Sequence, residues 1–244
     1  MSDLSLTFEE LYEEVEKFLG TYSSGSASAT DLADAKFICN RAYARYCSYW
    51  DWTFLSQERT LEIIDGVYKY ELPSDFSYFV GHKFTFDADG SYPDIVERMP
   101  LQIKELRSDA NYENYPMYYA LQAGSYHKST GQGWEVWFYP TPDSAYTLHY
   151  SCKINPQKLV DAGDIPIGGA DMSDCLLELC LAYAEQNKDE KMLVHNEVVN
   201  SILGPAKVMD SRRRSTQLGN LSDGLRVLDI DGDSVHSGNV IVSS

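Results

Sequence analysis

The feature that most constrains this chain is a double change of hydrophobic period. Apolar residues recur with helical spacing up to about residue 50, alternate with a period of two through the middle third, and return to helical spacing at Asp171. A helix buries a stripe and a strand buries one of its two faces, so neither pattern can stand in for the other. The chain has to set a sheet inside a helical frame.

At the front, Thr7 and Glu10 form a capping box with Leu6 and Leu11 as its hydrophobic staple, so a helix begins at Phe8. Phe8, Leu11, Val15, Phe18 and Leu19 make its inner face, and Gly20 stops it. After a small-residue loop, Ser28 and Asp31 cap a second helix whose inner stripe is Leu32, Ala35, Cys39, Ala42, Tyr43, Tyr46 and Trp50. The two are expected to pack as a hairpin. Near the other end, Met172, Cys175, Leu176, Leu179 and Tyr183 share one helical face, with Asp171 and Asp174 at the positive end of the helix dipole. A fourth helix turns Met192, Val199, Ile202 and Leu203 inward, and Gly204-Pro205 is expected to kink or end it.

The middle third reads as strands. Asp65-Gly66 between two alternating runs predicts a hairpin. "HKFTFDADG" gives a further strand, and segments 117–122, 134–139 and 146–152 three more, with Pro140 and Pro142 confined to a turn because proline cannot donate to a ladder. Between them, residues 99–116 hold a short helix-like or irregular piece. These signals predict an α+β chain: a helical hairpin (1–52), an inserted domain of five to seven antiparallel strands forming a sandwich or open barrel (53–165), closing helices that complete a four-helix bundle (166–211), and an extended tail (212–244).

Charge narrows the function. With 37 acidic against 20 basic residues the net charge is -17, which opposes any general grip on phosphate backbones. No apolar run approaches the ~20 residues that cross a bilayer, and the acidic first residues do not resemble an export signal, so a soluble protein without membrane contact is expected. Cys39, Cys47, Cys152, Cys175 and Cys180 are odd in number, lack a C-x-x-C pair and sit in apolar patterns, as buried free thiols in a reducing compartment would. Eighteen tyrosines, concentrated between residues 43 and 150, suit broad contact surfaces.

Compact catalytic motifs are missing: the sequence contains no phosphate-binding glycine loop, no nucleophile elbow and no H-E-x-x-H. "DIDGDS" alternates acids as a calcium loop does, but Ser234 stands where that loop needs glycine and Val240 where it needs its bidentate glutamate. No cofactor and no metal are expected. An enzyme would have to use dispersed carboxylates such as Asp75 and Glu135. A carbohydrate- or peptide-binding module would use Trp134, Trp137 and Tyr139 as an aromatic platform. The aromatic run at 42–55 fits either core packing or a stacking platform for single strands, and the helical phase of Tyr43 and Tyr46 favours the core.

Five phrases, in order, carry a resemblance: "SYWDWTFLSQERTLEI", "YKYELPSDF", "YPMYYAL", "WEVWFYPTPDSAYTLHYSCKINPQKL" and "DIPIGGADMSDCLLELCLAYAEQNKD". Over residues 5–210 the chain resembles the head-to-tail adaptor, or connector, proteins of tailed bacteriophages. The resemblance implies a structural, non-enzymatic protein of the virion neck, made in the bacterial cytoplasm. It implies a cyclic homo-oligomer, a dodecamer, under the portal protein, with double-stranded DNA passing through its lumen without sequence-specific binding and tail or nozzle proteins docking below. Arg212, Arg213, Arg214, Leu218, Leu221, Leu225, Leu228 and Ile230 would then contact the portal, and Trp137, Tyr139 and Tyr146 the next neck component. A strongly acidic conduit fits that role, since acidic walls repel phosphates.

Overall fold

The computed structural model describes residues 4–21, 28–87, 92–109, 112–129, 131–189 and 194–213. Helix α1 (Phe8–Leu19) is capped as its sequence requires: Thr7 Oγ1 accepts from the Glu10 backbone N–H, Glu10 Oε2 accepts from the Thr7 N–H at 2.7 Å, and Gly20 closes the helix at φ 77°. Ser28 caps α2 (Ala29–Ser48) through the Asp31 N–H. Helices α4 (Ala170–Asp189) and α5 (Val194–Arg213) close the helical part, with α4 in the middle, packed against α1, α2 and α5.

Two helical expectations need correction. Trp50 follows the phase of α2, but the helix ends at Ser48 and Trp50 lies 36% exposed beside Lys207, whose Nζ sits 5.3 Å from the indole. Its place in the core belongs to Trp52, fully buried between the rings of Tyr46 (5.0 Å) and Phe54 (5.4 Å), with Nε1 donating to the Tyr46 carbonyl. The other concerns Pro205, expected to kink or end the helix: the second alternative is excluded, since α5 runs through it. Proline costs that helix one backbone donor, yet Leu203, Ala206 and Asp210 remain buried on either side of it, and that anchorage carries the helix on to Arg213. Met192 lies outside the described residues.

Among the described residues, seven strands form one mixed sheet: β1 (Ser56–Ile63), β2 (Lys69–Glu71), β3 (Phe76–Phe86), β4 (Ile95–Glu97), β5 (Tyr118–Ala123), β6 (Trp134–Tyr139) and β7 (Tyr146–Ile154), in the order β1-β7-β3-β4-β5-β6-β2. The Asp65-Gly66 turn exists, with Gly66 at φ 73°, but its flanking strands do not pair with each other; β1 pairs with β7 and β2 with β6. Residues 64–68 are tied to the Tyr70 hydroxyl, which accepts from the Ile64 N–H at 2.8 Å and lies 2.9 Å from the Val67 carbonyl. Because the two outermost strands are joined by so short a link, the sheet has to curl until its edges approach, giving a nearly closed barrel and excluding a sandwich. The expected all-antiparallel order fails at one pair. β4 and β5 run parallel because α3 (Pro100–Asp109) connects them, and a helical crossover returns the chain in the same direction.

Inside the barrel, Phe84 is fully buried among Tyr119 (4.9 Å), Phe79 (5.1 Å), Tyr150 (5.2 Å) and Phe138 (5.4 Å). Helices and sheet share one contiguous apolar core. The return segment after β7 lies along the helices: Asn40 exchanges hydrogen bonds with Leu159, Tyr43 Oη accepts from the Ile167 N–H at 3.0 Å, and Phe8 N–H donates to the Asp164 carbonyl.

Candidate interaction surfaces

At the seam between helices and barrel, the deeply buried carboxylate of Asp210 on α5 accepts from Thr53 twice at Oδ1, from the backbone N–H (2.9 Å) and from Oγ1 (2.6 Å). Next to it, the buried Lys153 of β7 pairs with Asp51 at 2.8 Å and donates to the Trp52 carbonyl, while Tyr78 Oη donates to Asp51 Oδ1 at 2.9 Å. The Asp210–Thr53 bonds tie the last turns of α5 to the segment that leads into β1, and the Lys153 and Tyr78 bonds tie the sheet to the segment just after α2. Sequence reasoning missed Asp210, although its position seven residues after Leu203 and four after Ala206 puts it on the apolar stripe, where an acid needs a partner.

Arg212 and Arg213 lie in the exposed last turn of α5, where cations complement the C-terminal end of the helix dipole. Arg214, Leu218, Leu221, Leu225, Leu228 and Ile230 lie outside the described residues, as does the acidic string at 229–234.

The three residues expected to meet a neck component are not gathered in one patch. On β6, Val136 and Phe138 point into the barrel and Trp137 and Tyr139 outward, both half-buried. Helix α3 packs over β5 and β6, bringing Lys104 Nζ to 5.0 Å from the Trp137 ring and the Arg107 guanidinium to 3.5 Å from Tyr68. Tyr146 belongs to a separate aromatic group with Phe86 (5.4 Å) and Tyr92 (5.6 Å), and its hydroxyl donates to Asp143; burial, then that carboxylate, raises its pKa. A cleft of about 650 Å³ opens instead beside the β5–β6 turn, lined among others by the exposed Tyr126 and Trp134 and by Lys69, Glu71 and Glu135.

The carboxylates named for a dispersed site, Asp75 and Glu135, each have a basic neighbour. Asp75 takes a two-point bond from Arg59 (2.7 and 2.6 Å), which holds its carboxyl below the usual range, and Glu135 pairs with Lys69 at 2.9 Å and accepts from Trp137 Nε1. His195 lies 2.8 Å from Glu178 and edge-on to Phe18, and His149 lies 3.2 Å from Asp87. All five cysteines are free and buried; burial pushes the Cys47 thiol up to about 12 and Cys175 to about 11. Among the described residues no three His, Cys, Asp or Glu side chains converge as a metal site, and no helix is long and apolar enough to cross a membrane.

Against this geometry, the chain matches the family described as SU10 adaptor protein over residues 6–221, which takes in every described helix and strand. The chain belongs to that family. No curated protein matches it. As an SU10 adaptor protein it is a structural component of a bacteriophage virion, and the order of phrases that pointed to the head-to-tail adaptors is accounted for.

Proposed function

We propose that this adaptor assembles into a closed ring beneath the portal protein, lengthens the DNA channel and carries the tail or nozzle proteins on its other side. The supporting observation is the division of the molecule into a helical frame and a barrel, pinned together at Asp210 and Lys153, in a chain matched to the adaptor family across residues 6–221. A rigid two-part subunit can present lateral faces to its ring neighbours and a separate face to the next component. Residues 212–244, from the Arg212–Arg213 turn onward, are the segment that docks on the portal: arginines pair with portal carboxylates, and spaced aliphatic residues fill shallow pockets on binding. The net charge of -17 keeps the lumen from holding the duplex.

The adaptor does this work without catalysis. Supporting that view, Asp75, Glu135, His149 and His195 are each engaged by a structural neighbour. Mixing the purified protein with its cognate portal should convert it to a cyclic complex in sedimentation, whereas persistent monomer beside a folded portal would refute the proposal. A second reading, a carbohydrate- or peptide-binding barrel, is favoured by the cleft that brings Tyr126 and Trp134 together.

A further inference from the structure

On α2, Phe37 is 64% exposed, on the side of the helix opposite the buried Ala35, Ala42 and Tyr46. Its neighbours along that outward line are Ala33, Ala44 and Ser48, all exposed and uncharged. Arg41, at the edge of the line, leans over the Tyr183 ring at 4.7 Å on α4. On α5 the outward line runs Ser201, Gly204, Pro205 and Val208, again exposed and uncharged, and a Cβ added at Gly204 would meet nothing within 4 Å. One helix thus carries an aromatic knob on a flat strip, and the other an uncharged strip with a gap at Gly204 beside Pro205 and Val208.

The topology fixes how two copies can bring these lines together. Tyr46 bonds to Met172 and Cys39 to Cys180, so α2 runs antiparallel to α4. The start of α5 meets Glu185 through the Val194 N–H, and its far end meets Thr53, close to where Trp52 stacks on Tyr46, so α5 also runs antiparallel to α4. Helices α2 and α5 are therefore parallel, with α4 packed against both. Rotating a copy through the small angle of a many-membered ring keeps directions nearly unchanged, so α2 of one subunit can lie alongside α5 of the next. Subunits of net charge -17 repel each other, and these uncharged lines are where they can approach closely.

Building on the ring proposed above, we infer that its lateral contact seats Phe37 of one copy against the Gly204–Val208 stretch of the next. With the Phe37 ring lying between them, the two helix axes stand about 10 Å apart, the far end of the usual range. The uncharged line over 201–208 of α5 is about 12 Å long, so a strip about 10 Å wide covers about 120 Å² per partner and about 240 Å² in all, well under the ~1,200 Å² at which specific pairs become stable. A single contact of this size leaves the free protein monomeric, and the ring closes when the portal holds subunits side by side.

The test uses the full chain with its cognate portal and a short bis-maleimide cross-linker; the native cysteines are all buried, so introduced thiols react first. A chain carrying both Phe37→Cys and Val208→Cys should give a ladder of covalent multimers, and each single variant only monomer, because the contact is heterologous. Phe37→Asp should leave the thermal transition of the free subunit unchanged and lower the yield of rings by at least about tenfold. Rings without a ladder, or covalent dimers from Phe37→Cys alone, would overturn this pairing while leaving the ring intact. Failure of the unmodified protein to form rings on its portal would remove the ring proposal, and this contact with it.

Discussion

Replacing Asp210 with alanine tests whether α5 is held to the barrel as described. The substitution removes two hydrogen bonds to a carboxylate, from the Thr53 N–H at 2.9 Å and from Thr53 Oγ1 at 2.6 Å, and leaves that amide without its acceptor. At about 1.5 kcal/mol for each bond to a charged group, the loss is about 3 kcal/mol. For a folded part of this size each kcal/mol moves the midpoint by about 2–4 °C, so the melting temperature should fall by about 6–12 °C. Urea titration of the wild type, Asp210→Ala, Thr53→Val and the double variant gives the coupling directly. Thr53→Val removes only the hydroxyl bond, so the cycle should return about 1–2 kcal/mol of interaction. Additivity of the two substitutions, or a loss from Asp210→Ala below about 0.5 kcal/mol, a typical surface change, would refute the latch.

Two carboxylates should move stability in opposite directions with pH. Glu16 is 3% exposed, and burial, with Glu13 and Asp31 nearby, raises its carboxyl above the unfolded 4.5. A raised acid favours the fold while protonated and loses that contribution as pH rises through the folded value, so Glu16→Gln should be near neutral around pH 4 and stabilise by about 1 kcal/mol at pH 7 in urea melts. Asp75 is depressed below 3.8 by Arg59, so its contribution is present above that value and lost as pH falls through the folded one; Asp75→Asn should cost about 1–2 kcal/mol at pH 7 and less in strong acid.

What the sequence made legible was local. The capping box at Thr7, the Ser28 cap and the 134–139 strand are set by residues a few positions apart, and each appears where its spacing placed it. The Asp65-Gly66 turn was equally legible, but its strands pair elsewhere, because the long edge of β7 and the Tyr70 hydroxyl compete for the same backbone and both lie outside the local pattern. The exchange of Trp50 for Trp52 has the same origin: helical phase places Trp50 inward only while the helix lasts, and its end at Ser48 is decided by the stacking of Trp52 on Tyr46. Proline at 205 was legible as a cost to the helix, while the burial that outweighs it arises from contacts distant in sequence. Of the expected interaction residues, Arg212 and Arg213 stand at an exposed helix end, whereas Trp137 is half-covered by α3, whose packing over β6 no alternation of apolar residues reveals.

The central claim, that this adaptor becomes a ring on its portal, is tested most directly by electron microscopy of the purified protein alone and mixed with the cognate portal. The account predicts dispersed single subunits in the first sample and, in the second, portal particles carrying an added ring of subunits. Portal particles left bare at saturating adaptor, with both proteins folded, would contradict it.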